Sequence, residues 1–173
     1  MAMIKEINGI YPKIAEKCFI AENAMVMGEV EISKMSSIWY GTVIRGDVAL
    51  IKIGEKVNIQ DNCVLHSEHN LILSIGDNTT IGHGAIIHGC EIKGDVIIGM
   101  GSILLNNSII SKNVIIGAGS LVTEGKFVPE GELWMGRPAK FIRKLTTTEI
   151  ENIKNSAESY YENAIVHKGE KND

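Results

Sequence analysis

Rings are scarce in this chain. Phe, Trp and Tyr make up 5% of its 173 residues although hydrophobic residues make up 45%, so a core built from aromatic stacking is excluded and Ile and Val must fill the interior. Blocks of Lys and Arg are missing and the net charge is −4, which argues against a nucleic-acid footprint. No apolar run is long enough to span a bilayer, and Met1-Ala2-Met3-Ile4-Lys5-Glu6 lacks the apolar centre of a signal peptide. The expected compartment is the cytoplasm, with no membrane partner. Cysteine is confined to Cys18, Cys63 and Cys90, and disulfides are not expected in such a compartment.

What is present is a period of six. Aliphatic anchors fall at 14, 20, 26, 32, 38, 44, then 53, 59, 65, then 75, 81, 87, then 92, 98, 104, 110, 116 and 122. Two residues before each anchor stands a small side chain, such as Ala24, Thr42, Ala85 or Ser120, with Pro12, Ile51 and Leu73 as exceptions. All three cysteines occupy this slot, where Cys acts as a small hydrophobe. A period of six excludes helix for residues 14–122 and predicts a parallel β-helix whose rungs stack over a continuous core. Grouped in threes, the anchors give six coils of a three-sided prism.

The spacing departs from six at 44→53, 65→75 and 87→92, each time after the third anchor of a coil. The insertions therefore share one edge, where variation is free to build a site. Beyond the last coil, Trp134-Met135-Gly136-Arg137-Pro138-Ala139-Lys140 reads as a turn. From about Thr148 to Ala164 apolar residues recur at helical spacing, with Thr148 and Glu151 as a capping box. The organisation expected is a β-helix domain over 1–145, a packed helix over 146–166 and a polar, disordered tail over 167–173, to which His167 is assigned no role.

Three histidines lie at informative positions. His66 and His88 each follow a third-face anchor on adjacent coils, so they should point outward one rung apart, roughly 4.8 Å between backbones. His83 lies two residues after Ile81 on the second face, and across the convex corner its side chain should diverge from the other two. A symmetric oligomer can bring it back from a neighbouring subunit, and three subunits suit a three-sided prism. Three imidazoles with an open fourth position are the catalytic zinc arrangement.

The strings Trp39-Tyr40-Gly41-Thr42-Val43-Ile44-Arg45-Gly46-Asp47, Asn58-Ile59-Gln60-Asp61, His66, Ile81-Gly82-His83-Gly84 and His88-Gly89-Cys90 resemble the γ-class carbonic anhydrases, in particular their short bacterial members. The similarity covers nearly the whole chain. It implies a left-handed β-helix, an all-β solenoid with a C-terminal α-helix, assembled as a homotrimer. It further implies reversible hydration of carbon dioxide to bicarbonate by a zinc-bound hydroxide at the trimer interfaces. His66 and His88 of one subunit and His83 of the next would hold zinc, with iron or cobalt as alternatives. Gln60 would hydrogen-bond the reacting species, Asn58 would join its polar network, and Tyr160 matches an active-site tyrosine. Arg45 would pair with an acidic residue across the interface. The register agrees with this neighbourhood, since Arg45 stacks below His66 while Asp61 and His83 share a slot. For Arg45, Asp47 and Asp61 an interface salt bridge is expected rather than direct catalysis.

The chain departs from the family's archetype in its loop, where an acidic proton-shuttling segment is reduced to Ser67-Glu68-His69-Asn70. Glu68 or His69 is the expected relay. Two other readings stay open: acyl transfer from a coenzyme A thioester with one histidine as general base, and a metal-binding relative without turnover.

Overall fold

A computed structural model describes residues 2–169 of the chain. Parallel strands stack rung on rung, and the predicted anchors are the interior: Ile38, Ile44, Ile59, Leu65, Ile81, Ile87, Ile98 and Leu104 are all fully buried. Each such side chain withdrawn from water stabilises the fold by about 1.5–3 kcal/mol. One column of strands carries the second-face anchors, pairing Ile38 with Ile59, Ile59 with Ile81 and Ile81 with Ile98. The third face pairs Ile44 with Leu65, Leu65 with Ile87 and Ile87 with Leu104. Cys63 and Cys90 are buried in the small slot, whereas Cys18 is only half-buried and donates to the Ser33 carbonyl.

The repeat runs further than its aliphatic anchors suggest. Val128 pairs with Ile110 and Trp134 with Ile116, and Ile4 pairs with Val26 at the other end, giving about seven turns rather than six. Trp134 hides the continuation because an indole takes the anchor slot, its Nε1 donating to Glu132 at 2.7 Å. The expected turn at 134–140 is part of an antiparallel hairpin between Glu132–Met135 and Lys140–Lys144.

At the variable edge the early rungs have no turn. Met25–Ile32 and Val43–Ile53 each run across it as one bent strand. The bend brings the two backbones together at Gly28, where φ is +75° and a Cβ would stand 2.3 Å from the Gly46 carbonyl oxygen; only glycine fits there. The next rung leaves the surface as the 67–72 loop.

The helix spans Thr147–His167 and buries Ile153, Ala157 and Ala164 against the second face, where it meets the Ser37–Ile38, Asn58–Ile59 and Thr80–Ile81 strands. Its N-cap is Thr146 with Glu149 completing the capping box, in place of the expected Thr148 and Glu151. His167 is the last helical residue and not the start of a tail. Of the predicted disordered tail, residues 170–173 lie outside the described residues. Among the described residues no helix is long and apolar enough to cross a membrane.

Candidate metal centre

His66 and His88 are Cα partners on adjacent parallel strands, the stacking that the repeat requires. Nδ1 of His66 lies 3.2 Å from Nε2 of His88. The far nitrogen of each ring is also held: His66 Nε2 is 2.9 Å from Asp47 Oδ1, and His88 Nδ1 is 2.6 Å from Asn106 Oδ1. Partial desolvation pushes the Asp47 carboxyl up, but hydrogen bonds from His66 and Arg45 outweigh it and hold the group below the ordinary carboxylate range. Asp47 is therefore an anion that only accepts, and the Asn106 amide oxygen only accepts. Each ring must donate from its far nitrogen, so in the neutral rings two lone pairs face one another. That arrangement is repulsive unless a cation sits between them. Two nitrogens bound to one zinc at a tetrahedral angle stand roughly 3.3 Å apart, close to the separation here. Oxygen acceptors behind both rings are what ligating histidines use to fix tautomer and orientation.

The opposite edge of the third face carries His83. Its side chain is 46% exposed, with Nδ1 2.8 Å from Asp61 Oδ2, and it does not reach the other two histidines. Among the described residues of the single chain no three His, Cys, Asp or Glu side chains converge as a ligand set, as the divergence across a convex corner demands. Behind His83 lies a buried amide chain. The His83 N–H donates to Gln60 Oε1 at 3.2 Å, Gln60 Nε2 donates to Asn58 Oδ1 at 3.1 Å, and Asn58 Nδ2 donates to Thr80 Oγ1 at 2.8 Å. Thr80 in turn meets the Ser156 hydroxyl of the helix at 3.2 Å. The Gln60 amide nitrogen carries a second N–H beyond the one given to Asn58.

Tyr160 packs edge-on against Trp39, centroids 5.5 Å apart. It also lines a cavity of about 490 Å³ together with Tyr40, Asp61, His83, Asn163 and His167. Desolvation, and then the charge of Asp61, raise its phenol above the ordinary value.

The structure thus gathers the expected residues into two groups: Arg45, Asp47, His66 and His88 at one edge, and Asn58, Gln60, Asp61, His83 and Tyr160 at the other. Arg45 is ion-paired with Asp47 of its own chain. Glu68 and His69 belong to neither group; both are exposed on the loop and, among the described residues, bond to no site side chain. A larger cleft, about 550 Å³, opens on the first face beside Asn70, Ile72 and Ile109 and contains none of the three histidines. Sequence reasoning missed Asn106 and His167. Asn106 was visible as a polar residue one rung beyond His88 on the same edge. His167 had no sequence signal.

A β-helix of hexapeptide repeats with two stacked imidazoles on its variable edge defines the class of protein. No family model matches the chain. It is, however, 46% identical over 165 residues to "Gamma carbonic anhydrase 2, mitochondrial" of Arabidopsis thaliana, covering 92% of this chain and 59% of that protein. It is 45% identical over 166 residues to "Carbonic anhydrase" of Geobacillus kaustophilus, covering 96% of this chain and 91% of that one. A Bacillus cereus crystal structure, provisionally named an acetyltransferase, superposes with a TM-score of 0.95 at 44% identity over 97% of this chain and 98% of its own. The fold is the left-handed β-helix of the hexapeptide-repeat proteins. The chain belongs to the γ-class carbonic anhydrase family, and it spans about three-fifths of the length of the Arabidopsis relative.

Proposed function

We propose that the protein is a metal-dependent carbonic anhydrase-like enzyme that interconverts carbon dioxide and bicarbonate at sites shared between the subunits of a homotrimer. The observation that carries this reading is the pair of facing ring nitrogens on His66 and His88, each ring backed by an oxygen acceptor. The donor set fits zinc, with iron or cobalt as alternatives. When bound, the metal supplies Lewis acidity that makes water a nucleophile near neutral pH.

Assembly is supported by the third face. Met25, Val43, Val64, Ile86, Ile103 and Leu121 form an outward apolar column in register, with Val64 41% and Ile86 40% exposed. Such a stripe marks an interaction surface. His83 stands at one margin and His66 and His88 at the other, so a closed ring of three places the one margin against the other at every interface. His83 is then the third ligand. Gln60, fixed by Asn58 and the His83 backbone, orients the reacting water or the substrate through its remaining N–H. Tyr160 walls the substrate space, and Arg45, Asp47 and Asp61 form the charged seam between subunits.

A second reading is favoured by the name of the Bacillus cereus neighbour: acyl transfer from a coenzyme A thioester. A general base needs one free ring nitrogen, not two rings turned toward each other, and this favours the hydratase. Stopped-flow hydration by protein stripped of metal and reloaded with zinc, iron(II) or cobalt tests the proposal. Activity is expected to return with metal and to be absent from His66→Ala. A fully loaded trimer that hydrates no carbon dioxide, or that releases coenzyme A from a thioester instead, overturns it.

A further inference from the structure

The hydration reading needs a route by which the proton released from water reaches solvent. Within the chain, and among the described residues, Glu68 and His69 of the reduced loop bond to no site side chain. The cavity beside His83 offers a route. Its walls include His83 and Asp61 at the subunit margin and Tyr40 and His167 at the end of the helix. His167 Nδ1 is 3.0 Å from the Tyr40 hydroxyl. The ring is fixed by Trp39, Tyr40 and Phe19, with centroids at 5.0, 5.8 and 6.0 Å, and the residue is nevertheless exposed to solvent. An imidazole packed among three rings, with one nitrogen on the hydroxyl of a cavity-lining tyrosine and the residue itself exposed to solvent, has the geometry of a relay. The titratable and charged groups around it are Tyr40, Asp61 and His83 from the second-face margin and Tyr160 and Lys168 from its own helix.

We propose that His167 is the proton exit of this enzyme, reached through Tyr40. A water in the cavity takes up the proton released by the reacting water and hands one on to the Tyr40 oxygen, while the Tyr40 hydroxyl proton passes to His167 Nδ1. The imidazolium so formed loses its Nε2 proton to buffer in bulk solvent. Rotation of the phenol hydroxyl and tautomer exchange restore the starting state, and one proton has crossed with no net change in either side chain. His167 relays protons and does not touch carbon dioxide, so hydration itself proceeds without it. The proposal rests on the hydration reading, and the test separates the two.

In zinc-loaded trimer, His167→Ala and the gentler His167→Gln are expected to lower kcat at low buffer by roughly 100-fold. Both should leave kcat/KM, zinc content and helix circular dichroism at wild-type values. Added imidazole should restore kcat, and Tyr40→Phe should reproduce the defect. A readout independent of turnover is 15N NMR of His167 in the zinc-free protein. Its Nδ1 resonance should be that of a hydrogen-bond acceptor and should move in Tyr40→Phe. Active wild type with an unchanged low-buffer kcat in both His167 variants overturns the relay alone. So does a loss of low-buffer kcat confined to Glu68→Ala or His69→Ala, and so does an Nδ1 signal indifferent to Tyr40→Phe. Zinc-loaded wild type inactive at every buffer concentration overturns both readings.

Discussion

The contact between Asn106 and His88 depends on a residue with no side chain. At Gly89 the backbone has φ +52°, and a Cβ would stand 2.4 Å from Asn106 Oδ1, so glycine clears the space through which the amide reaches the imidazole. Loss of that amide leaves His88 without its orienting acceptor while the strand pairing is untouched. Asn106→Ala is therefore expected to weaken zinc binding about 10- to 100-fold with little change in melting temperature, measured by competition with a chromophoric chelator. Undiminished affinity would show that Asn106 does not orient the ring. The juxtaposition of His66 and His88 was legible from the sequence because a rung-to-rung period leaves no freedom in which residues stack. Their partners, Asp47 and Asn106, were legible only as polar residues nearby, not as the acceptors they are. Which corner residue turns toward an imidazole depends on the turn's dihedral angles, and these are decided by close approaches such as that of Gly89, not by spacing. The buried cysteines followed the period as well: burial pushes Cys63 up to about 11 and Cys90 up to about 12, as befits inert core residues.

At the scale of the element, the helix start shows how a correct period can be given the wrong boundary. Thr146, Thr147 and Thr148 are all good caps, and Glu149 and Glu151 both lie within reach of a box. The choice falls on Thr146 because Glu149 is also gripped by Arg143 through two hydrogen bonds of 2.8 and 2.7 Å, and Arg143 arrives on a hairpin strand, Lys140–Lys144, that begins where the predicted turn ends. Hydrogen bonds from Arg143 first, then from Thr146, lower the Glu149 carboxyl from 4.5 to about 2. A carboxyl depressed on folding contributes stability that is complete above its ordinary value and is lost as pH falls toward the folded value. The wild type should accordingly lose helix anchoring between pH 4.5 and about 2. Other carboxylates titrate in that range, so the diagnostic quantity is the difference between wild type and Glu149→Gln in melts followed at 222 nm. That difference should be present at pH 6 and shrink steadily as pH falls toward about 2. A constant gap would refute the role of the ionised pair.

For the whole molecule, the prism geometry sets what one chain can and cannot do. The anchors fix three faces, and the faces fix that His83 and the His66–His88 pair lie at different margins of one apolar surface. Among the described residues of a single chain the three histidines do not converge, and in the proposed closed ring of three the set would be completed three times. The separation of His83 from the His66–His88 pair was readable from the period, whereas the outward apolar column emerged only when outward residues were placed in register. The consequence is complementation between chains. In the proposed ring, whose interfaces are directional, a site would need His83 from one subunit and both His66 and His88 from the next. A His83→Ala trimer and a His66→Ala trimer each lack every site. Any mixed trimer, with either variant in excess, regains one site of three, at the interface where the His66→Ala chain supplies His83 and the His83→Ala chain supplies the pair. Random mixing at equal amounts should thus recover roughly a quarter of the wild-type metal. The measurement is zinc per chain in trimers refolded together and purified through two different tags, which retain mixed species only and should hold about one zinc per trimer. Mixed trimers that bind no zinc would place all the ligands within one subunit and would sink the shared site, while zinc bound equally by the unmixed His83→Ala trimer would remove His83 from the ligand set.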